Sequence, residues 1–225
     1  MTQATPEQLE SLTRWDTPAL SNALDALKLR PFNTGYTDGS ITRIAGSAVM
    51  VGRAVTARMV ARDPGDDAVH VSRLHRAISE TEGPIVVVLE DCDVPAGSGA
   101  FLGEVNGALL RALGVRGVIT NGRVRDVNEL RQFGYPVYAR GLCVARAHMR
   151  LIEVGTRARV AGLAISAGDI LHADEHGVLQ LPDAAIPAII EKAELIRQDE
   201  QNIVSWSQSG DFNIPALLEL RRVRH

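Results

Sequence analysis

The chain has 225 residues, of which 45% are hydrophobic, and this composition is sufficient to bury a substantial core. Its formal net charge of −3 at pH 7 and its sequence pI near 6.1 give no electrostatic footprint for nucleic acid or for an anionic membrane surface. We therefore expect neither a nucleic-acid partner nor a membrane partner, and a small anionic substrate has to be attracted by local charge.

The N-terminal segment and the cysteines predict a cytoplasmic protein with free thiols. Residues 1–20 contain no basic stretch followed by an apolar one, and no window of the chain reaches the roughly 18 to 20 apolar residues needed to span a bilayer. Cys92 and Cys143 form no Cys-x-x-Cys unit and are too few for a disulfide framework. We expect both thiols to be free and without a redox role.

The first half of the chain alternates predicted helices with strand-rich sequence. In order, the predicted elements are a helix at 17–27, a turn-rich stretch at 31–39, β-rich sequence at 48–60, a helix at 69–79 and a strand at 84–90. Thr17 followed by Pro18 is typical of an N-cap with proline at the first helical position. Gly52 is expected to mark a bend or bulge in its strand. The strand at 84–90 is a continuous apolar run, which is typical of a buried strand.

The second half continues the alternation and closes with two helices. In order, the predicted elements are a helix at 104–113, a strand at 115–120, a helix that starts at 126, a strand at 136–140, β-rich sequence at 152–181, a long helix and a short one. The alternation from 84 to 140 predicts a partly parallel α/β core, and the hairpin-like stretches on either side predict mixed sheets. No linker divides the chain, so we expect one domain over 1–225. Its C-terminal helices, about 183–225, are expected to pack on the core or on a neighbouring subunit.

Residues 103–126 combine the features of an anion-binding site. Gly103 precedes a helix that starts at Glu104, and the strand after that helix leads to the pair Arg125-Asp126. We expect Glu104, Arg125 and Asp126 to meet at one end of a single α/β unit. Backbone N–H groups, an acid and a cation then lie within reach of one small anion.

Each of these residues also has a purely structural interpretation. Asp126 followed by Glu129 forms a capping-box pattern at the start of the next helix, which accounts for both acids without any chemistry. Glu104 favours a helix N-terminus by its charge alone, and Arg125 is an ordinary residue for a solvated surface. The joint arrangement of the three, rather than any one of them, favours a functional site.

Other motifs that indicate a cofactor are incomplete. Gly97, Gly99 and Gly103 follow a strand, but their G-x-G-x-x-x-G spacing departs from the dinucleotide fingerprint, and Asn121 ends the next strand where an acid would hold the ribose. The chain has no G-x-x-x-x-G-K-[ST] loop and no G-x-S-x-G elbow. The histidines are not spaced to share a helix face, so they are weak evidence for a zinc site.

The spacing of Glu104 and the Arg125-Asp126 pair resembles a family signature. It is similar to the acid-x20-Arg-Asp pattern of the metal-dependent 4-hydroxy-4-methyl-2-oxoglutarate aldolases, members of the family named for the regulator of ribonuclease E activity A. Further matching segments are Thr17-x-x-x-Ser21, Gly52-x-Ala54-Val55-Thr56, residues 134–141 and Gly168-Asp169-x-x-x-Ala173-Asp174-x-x-Gly177-Val178. The chain departs from the family at Asn121 and at Asn22, where acids are common, and both departures bear on the choice of substrate.

The resemblance implies an αββ-type sandwich of the swivelling-domain type with mixed, partly parallel sheets. It also implies a homotrimer or a dimer of trimers, with active sites between subunits. A divalent metal, Mg²⁺ or Mn²⁺, is expected to bind Asp126, with Glu104 holding a water on the metal. Arg125 then binds the carboxylate or enolate oxygen of a 2-oxo acid substrate. The remaining substrate contacts are Gly103 and the backbone N–H groups of Val105 and Asn106.

Elementary chemistry supports this assignment apart from the resemblance. Cleaving a carbon–carbon bond next to a 2-oxo group leaves a pyruvate enolate, whose developing negative charge needs preorganised positive charge. A hard cation with oxygen ligands and the planar fork of an arginine supply that charge together. One carboxylate with several waters suits Mg²⁺ or Mn²⁺, because these ions commonly keep part of their hydration shell.

A further acid is expected from the long C-terminal helix. Glu200 interrupts an apolar stripe at helical spacing. The stripe consists of Ile189, Ala193, Ile196, Glu200 and Ile203. A charge in such a stripe needs a partner, so we expect Glu200 to reach the active site of a neighbouring subunit. Two alternatives stay open, because Asp199 can supply the acid instead and Glu200 can lie in water at the edge of the stripe.

Two classes of function remain open from these residues. The first is a lyase that acts on 4-hydroxy-2-oxo diacids such as 4-hydroxy-4-methyl-2-oxoglutarate, with oxaloacetate decarboxylation as a side activity through the same enolate; another metal-dependent reaction on a 2-oxo acid is its variant. The second is a protein-binding regulator of ribonuclease E-type RNA degradation, which the same fold supports in relatives. A pure binding protein has no chemical need for Glu104, Arg125 and Asp126, so their presence favours the lyase.

Overall fold

A computed structural model of the chain describes residues 3–224. The helices are α1 Pro6–Ser11, α2 Thr17–Ala26, α3 Ser72–Ser79, α4 Glu104–Ala112, α5 Val127–Phe133, α6 Ile186–Ser207 and α7 Ile214–Arg224. The strands are β1 Thr42–Ala45, β2 Met50–Val60, β3 Ile85–Asp91, β4 Val115–Thr120, β5 Arg123–Val124, β6 Val137–Ala139, β7 Gly141–Leu142, β8 Arg150–Val154, β9 Ala158–Val160, β10 Leu163–Ile165, β11 Ile170–Asp174 and β12 Gly177–Leu181.

The main sheet is mixed, with a parallel centre and antiparallel edges. Its strands run in the order β1-β6-β4-β3-β2-β11-β12, and β8 pairs with the distal half of β2. Strands β2, β3, β4 and β6 are parallel to their neighbours in this group. Strands β1, β8, β11 and β12 pair antiparallel. The predicted mixed, partly parallel α/β fold is confirmed.

The parallel centre forms because its strands are apolar along most of their length. Within β3, every residue except Glu90 is buried, and a strand of this kind is stable only when both of its faces are covered. One face of the sheet packs against α3, α4 and α5. The opposite face packs against the two-stranded pair of β9 and β10. The layers are therefore helices, main sheet and small sheet, as an αββ-type sandwich requires.

A third hydrophobic cluster covers the antiparallel edge of the sheet. Helices α1, α2 and α6 pack there against β11 and β12. Leu20 and Leu24 of α2 meet Ile189 and Ala193 of α6, and all four are at most 1% exposed. Replacing either leucine with alanine would cost about 2–5 kcal/mol. The first half of α6 is thus part of the core of its own chain.

Between Leu195 of α6 and Leu218 of α7, several apolar side chains are left exposed by the rest of the described chain. These are Leu195, Val204, Phe212, Ile214 and Leu218. Trp206 and Phe212 lie with their ring centroids 5.1 Å apart and so connect the end of α6 to the turn before α7. No helix within the described residues is both long and apolar enough to cross a membrane.

Two predictions about where helices begin are wrong in detail. The N-cap of α2 is Asp16, whose side chain accepts the N–H of Ala19 at 2.7 Å. Thr17 is the first residue of the helix, and its own N–H donates to the buried carboxylate of Asp174 at 2.7 Å. Helix α3 starts at Ser72 rather than at 69.

The glycine of β2 has a different role from the one predicted. Gly52 lies in a continuous strand, and a Cβ at this position would be 2.7 Å from the carbonyl oxygen of Pro84. The glycine therefore permits the close approach of a neighbouring backbone and does not mark a bend or bulge.

Candidate active site

Glu104, Arg125 and Asp126 lie together where α4 begins and β5 ends. The carboxylate oxygen Oδ2 of Asp126 accepts the backbone N–H of Glu104 at 2.9 Å. The same oxygen lies 3.4 Å from Nε of Arg125. An acid, a cation and a helix N-terminus therefore face one point, although the roles assigned to these residues stay predictions.

Asp126 caps α4 and not the helix that it precedes. Its backbone is left-handed, with φ 54° and ψ 47°, and its side chain makes no capping hydrogen bond to α5. The expected capping box with Glu129 is therefore wrong. The physical reason is that the carboxylate turns towards the N-terminus of α4, where an unpaired N–H and the positive end of the helix dipole attract it.

Tight packing between α4 and α5 sets this arrangement. A Cβ at Gly107 of α4 would lie 2.8 Å from side-chain atoms of both Leu130 and Phe133 of α5. Leu110, the residue of α4 that faces the sheet core, is only 1% exposed. Because the two helices are held this closely, the first turn of α4 stays within reach of Asp126.

Gly103 makes room for the acid and the cation. A Cβ at this position would lie 2.4 Å from Oδ2 of Asp126 and 3.0 Å from Cγ of Arg125. The φ angle of Gly103 is −150°, an extended value open to any residue. The requirement for glycine here is therefore one of space.

A cavity of about 240 Å³ adjoins the cluster. It is lined by Ala100, Phe101, Gly103, Val105, Asn106, Arg125, Asp126, Arg146 and Met149. Glu104 is exposed and does not line it. The side-chain amide of Asn106 donates to the carbonyl of Phe101 at 2.7 Å, so this side chain stabilises the loop before α4.

The Arg125–Asp126 ion pair is weak enough to rearrange around a ligand. The two side chains are 40% and 36% exposed, and an exposed pair of this kind contributes about 0–1 kcal/mol to stability. A substrate carboxylate that offers two oxygens to the guanidinium therefore has little to displace.

A buried acid that sequence analysis missed supports the loop at the end of β3. Asp91 is 2% exposed, and its carboxylate accepts the N–H of Gly97 at 2.6 Å and the N–H of Asp93 at 3.0 Å. Burial raises the pKa of Asp91 above its usual value. Its backbone N–H donates to Oδ1 of Asn121 at 2.7 Å, and its carbonyl accepts from Nδ2 of the same amide at 2.9 Å. The sequence signal that could have revealed this residue is an acid at the end of an apolar strand.

Arg146 and Met149 are the other cavity residues that the sequence did not reveal. They lie in the irregular segment between β7 and β8. Nothing in the local pattern distinguishes Arg146 from a solvated surface arginine, because only the fold brings this segment beside α4.

Glu200 does not reach this site within one chain. It is exposed on the second half of α6, and α6 packs against α1 and α2. The cavity lining excludes both Glu200 and Asp199. A contribution of either acid to the site of another subunit stays a prediction.

A second group of candidate metal ligands lies in the turn between β11 and β12. Ligand atoms of Asp174, Glu175 and His176 are within 4.8 Å of one another. The carboxylate of Asp174 is already engaged, because it accepts the N–H of Thr17 at 2.7 Å and the N–H of His176 at 2.9 Å. This group is better suited to anchoring α2 than to binding a cation.

A larger cavity lies beside the N-terminal segment and contains an ion pair of its own. It has a volume of about 980 Å³ and is lined by Arg53 and Asp183 among others. Nη1 of Arg53 lies 2.7 Å from Oδ2 of Asp183, and its Nη2 donates to the carbonyl of Ala4 at 3.0 Å. These contacts fix the N-terminal segment and leave neither charge free for a ligand.

The sequence profile of the RraA-like family, described as Aldolase/RraA, matches residues 17–179. The chain belongs to the RraA-like family. This RraA-like chain is 27% identical over 213 residues to protein DlpA of Legionella pneumophila. The aligned region covers 91% of the chain and 32% of DlpA. It thus spans about a third of the length of that relative. It is also 23% identical over 202 residues, 89% of each protein, to a Halalkalibacterium halodurans protein named as a provisional 4-hydroxy-4-methyl-2-oxoglutarate aldolase.

Solved structures share the fold of this RraA-like chain. An uncharacterized protein from Pseudomonas syringae superposes with a TM-score of 0.76 at 22% identity, covering 100% of this chain and 96% of the other. RraAS2 of Streptomyces coelicolor is described as an unusual member of the RNase ES inhibitor RraA protein family. It superposes with a TM-score of 0.72 at 20% identity, and the superposition covers 89% of this chain and 97% of RraAS2. At these identities the likeness establishes the fold alone. The predicted family and fold class are both confirmed.

The donor set of the RraA-like site suits a hard divalent cation. Oδ2 of Asp126 is engaged by Glu104 and Arg125, whereas Oδ1 accepts no hydrogen bond from residues 3–224. The exposed carboxylate of Glu104 belongs to the same residue whose backbone N–H the carboxylate of Asp126 accepts. Carboxylate oxygens together with waters are the ligands that Mg²⁺ and Mn²⁺ prefer. Asp126 and Glu104 therefore have the right chemistry for such an ion, and their role as metal ligands stays a prediction.

Proposed function

We propose that this RraA-like protein is a divalent-metal-dependent lyase that cleaves 4-hydroxy-2-oxo acids such as 4-hydroxy-4-methyl-2-oxoglutarate and releases pyruvate. Oxaloacetate decarboxylation is its proposed side activity. The observation that carries the proposal is the convergence of Arg125, Asp126 and the N-terminus of α4 on one small cavity. The aldolase name of the Halalkalibacterium halodurans relative supports it.

The first turn of α4 offers two backbone donors to the substrate carboxylate. The N–H of Glu104 is taken by Asp126, and the N–H of Gly107 donates to the carbonyl of Gly103 at 2.8 Å. The N–H groups of Val105 and Asn106 lie between them and have no acceptor within the helix. Two adjacent N–H groups at the positive end of a helix are suited to binding a carboxylate.

Arg125 stabilises the charge that develops during bond cleavage. A base removes the proton of the 4-hydroxyl group, and the electron pair left on that oxygen makes C4 the carbonyl carbon of the departing product. The C3–C4 bond breaks, its electron pair forms the C2–C3 double bond, and the π pair of the C2 carbonyl moves to its oxygen, which gives a pyruvate enolate. A proton added at C3 then completes pyruvate. The guanidinium of Arg125 faces the enolate oxygen with planar N–H donors. We propose that Glu104, together with Glu200 of the partner subunit, moves these protons through water.

Asp126 and Glu104 are the proposed ligands and positioning groups for Mg²⁺ or Mn²⁺. A divalent cation bound there adds positive charge beside the oxygen that becomes negative. The proposal includes a homotrimer or homohexamer, because the exposed apolar residues of α6 and α7 need cover.

The alternative function is a protein-binding regulator of RNA degradation. It draws on the description of RraAS2 as a member of an RNase ES inhibitor family. The similarity of this chain to RraAS2 is one of fold alone. Binding another protein does not require an acid, an arginine and a helix N-terminus around one cavity, so we favour the lyase.

Pyruvate release tests the proposal. The purified protein is incubated with a panel of 4-hydroxy-2-oxo acids and oxaloacetate, after treatment with EDTA and again after addition of Mg²⁺ or Mn²⁺. We expect release to stop with EDTA and to return with the metal. The lyase proposal is contradicted if no acid of the panel yields pyruvate with either metal, or if turnover survives exhaustive chelation.

A further inference from the structure

Arg146 shares the proposed active-site cavity with Arg125. Both arginines line the space of about 240 Å³, and Asp126 is the one acid among the lining residues. The carboxylate of Asp126 is held by the N–H of Glu104 and by Arg125. Arg146 is therefore left without an acidic partner among the residues that line the cavity.

A single loop fixes the two arginines relative to each other. Residues 97–103 run between the two segments that carry them. On one side, the N–H of Arg125 donates to the carbonyl of Leu102 at 3.1 Å; on the other, the N–H of Ala100 donates to the carbonyl of Ala145 at 3.2 Å. The two guanidinium groups thus extend from backbones whose separation is set by hydrogen bonds.

Close backbone packing defines the position of Arg146 further. A Cβ at Gly99 would lie 2.3 Å from the carbonyl oxygen of Arg146 and 2.9 Å from Cβ of Ala147. The same carbonyl accepts the N–H of Met149 at 3.3 Å. The segment is consequently a fixed part of the cavity wall, although the side chain of Arg146 is exposed.

The guanidinium of Arg146 is free to bind a ligand. Among residues 3–224 it makes no side-chain hydrogen bond and no ion pair. Phe101 and Met149 line the same cavity and supply apolar surface. The cavity therefore offers one guanidinium for each of two carboxylates of a single small molecule, and an apolar wall for the carbon skeleton between them.

We propose that Arg146 binds the distal carboxylate of a 2-oxo dicarboxylate and so makes the site selective for diacids. This inference rests on the proposed function for the orientation of the ligand, with its 2-oxo carboxylate at α4 and Arg125. A carboxylate at the other end of the molecule then meets the unpaired guanidinium. A charge-assisted hydrogen bond of this kind changes affinity by about 10- to 100-fold.

Equilibrium binding tests the inference without requiring turnover. The wild type, Arg146→Gln and the matched control Arg131→Gln, which removes an exposed arginine of α5, are titrated by calorimetry in Mg²⁺ with 2-oxoglutarate and with pyruvate. For Arg146→Gln we expect affinity for 2-oxoglutarate to fall about 10- to 100-fold, with little change for pyruvate. The control should change neither. The inference is overturned if both ligands weaken equally, if neither weakens, or if the wild type does not prefer 2-oxoglutarate.

A kinetic comparison separates this inference from the proposed function. Values of kcat/KM are measured for 4-hydroxy-4-methyl-2-oxoglutarate and for the monoacid 4-hydroxy-2-oxopentanoate. Arg146→Gln should lower only the value for the diacid. If the wild type cleaves both and the variant loses both equally, the inference fails while the lyase stands. If the wild type cleaves neither but calorimetry shows the diacid preference and its loss, the lyase fails while the role of Arg146 stands.

Discussion

The carboxylate of Asp126 accepts the backbone N–H of Glu104 at 2.9 Å, across 22 residues of sequence. The hydrogen bond joins the N-terminus of α4 to the N-terminus of α5. It uses Oδ2 of Asp126, whereas Oδ1 accepts no hydrogen bond from residues 3–224 and is a candidate ligand atom. The observed structural role of Asp126 and its proposed role as a metal ligand therefore fall on one side chain, and substitutions can separate the two.

Asp126→Asn should abolish activity while the fold survives. Asparagine keeps an oxygen that accepts the N–H of Glu104 and tolerates left-handed backbone, but it lacks the charge of a metal ligand. We expect Tm to change little and pyruvate release to be lost. Asp126→Ala should also lose the cap, at about 0.5–2 kcal/mol. Asp211→Asn, in the exposed turn before α7, is the matched control. Normal catalysis by Asp126→Asn would leave capping as the whole function of the residue.

Arg125→Lys should be a poor catalyst although the charge is conserved. A compact ammonium does not reproduce the two-pronged contact of a guanidinium with an oxygen pair. We expect kcat to fall on the order of 10²-fold or more, as for loss of one charge-stabilising donor. Steady-state kinetics with Arg131→Lys as the control give kcat and KM separately. A rise in KM alone would restrict Arg125 to substrate binding that is equal in ground and transition states.

Gly103→Ala should disturb the site through its Cβ alone. The new atom would lie 2.4 Å from Oδ2 of Asp126, so the carboxylate has to leave its hydrogen bond with Glu104. Overpacking of this kind costs about 1–3 kcal/mol, and kcat/KM should fall together with Tm. Gly210→Ala is the control, because a Cβ there meets nothing within 4 Å. Unchanged activity in Gly103→Ala would show that the geometry of Asp126 does not limit catalysis.

Complementation between inactive variants tests whether the site is shared. If Glu200 of the partner subunit completes the site, mixing Arg125→Ala and Glu200→Gln after reversible dissociation should restore part of the activity through hybrid sites. Subunit exchange is confirmed by mass. If both variants are inactive, exchange occurs and no activity returns, the role proposed for Glu200 is wrong, whereas Glu104, Arg125 and Asp126 can still form a site within one chain.

His172 should make the fold sensitive to mild acid. It is fully buried; its Nε2–H donates to the carbonyl of Trp15 at 3.1 Å, and its Nδ1 accepts from the hydroxyl of Thr17 at 3.0 Å. Burial lowers the pKa of His172 in spite of the charges of Asp174 and Asp16 nearby. The unfolded chain, with a pKa of about 6.5, therefore takes up the proton first.

The contribution of neutral, buried His172 to the free energy of unfolding should be fully present above about pH 6.5. It should decrease as the pH drops from there towards the lower pKa of His172 in the folded state. The free energy of unfolding, measured by urea denaturation between pH 7 and pH 5, checks this. His172→Gln should flatten the slope over this range, and His148→Gln, an exposed histidine, should not. An identical slope in all three proteins would assign the acid sensitivity to other groups. Hydrogen bonds from Thr17 and His176 lower the pKa of Asp174 despite its burial, so its own contribution is lost only in stronger acid.

Periodicity and spacing were sufficient to predict the elements around the site. The apolar run of β3 and the helical spacing of α4 are local properties of the chain, and parallel strands joined by helices bring successive loops to one edge of the sheet. Proximity of Glu104 to the Arg125-Asp126 pair follows from that connectivity. The family resemblance added the proposed chemistry, and the match over residues 17–179 confirms the family.

Hydrogen bonds between distant residues decided what the sequence left open. The carboxylate of Asp126 had a local capping partner available in α5 and took one in α4 instead, just as Thr17 gave its N–H to Asp174 and left the cap of α2 to Asp16. Local patterns describe which partners are near in sequence, whereas the packing of α4 against α5 determines which are near in space. Arg146 joined the cavity for the same reason, because an irregular segment has no periodicity from which its place in the fold can be predicted.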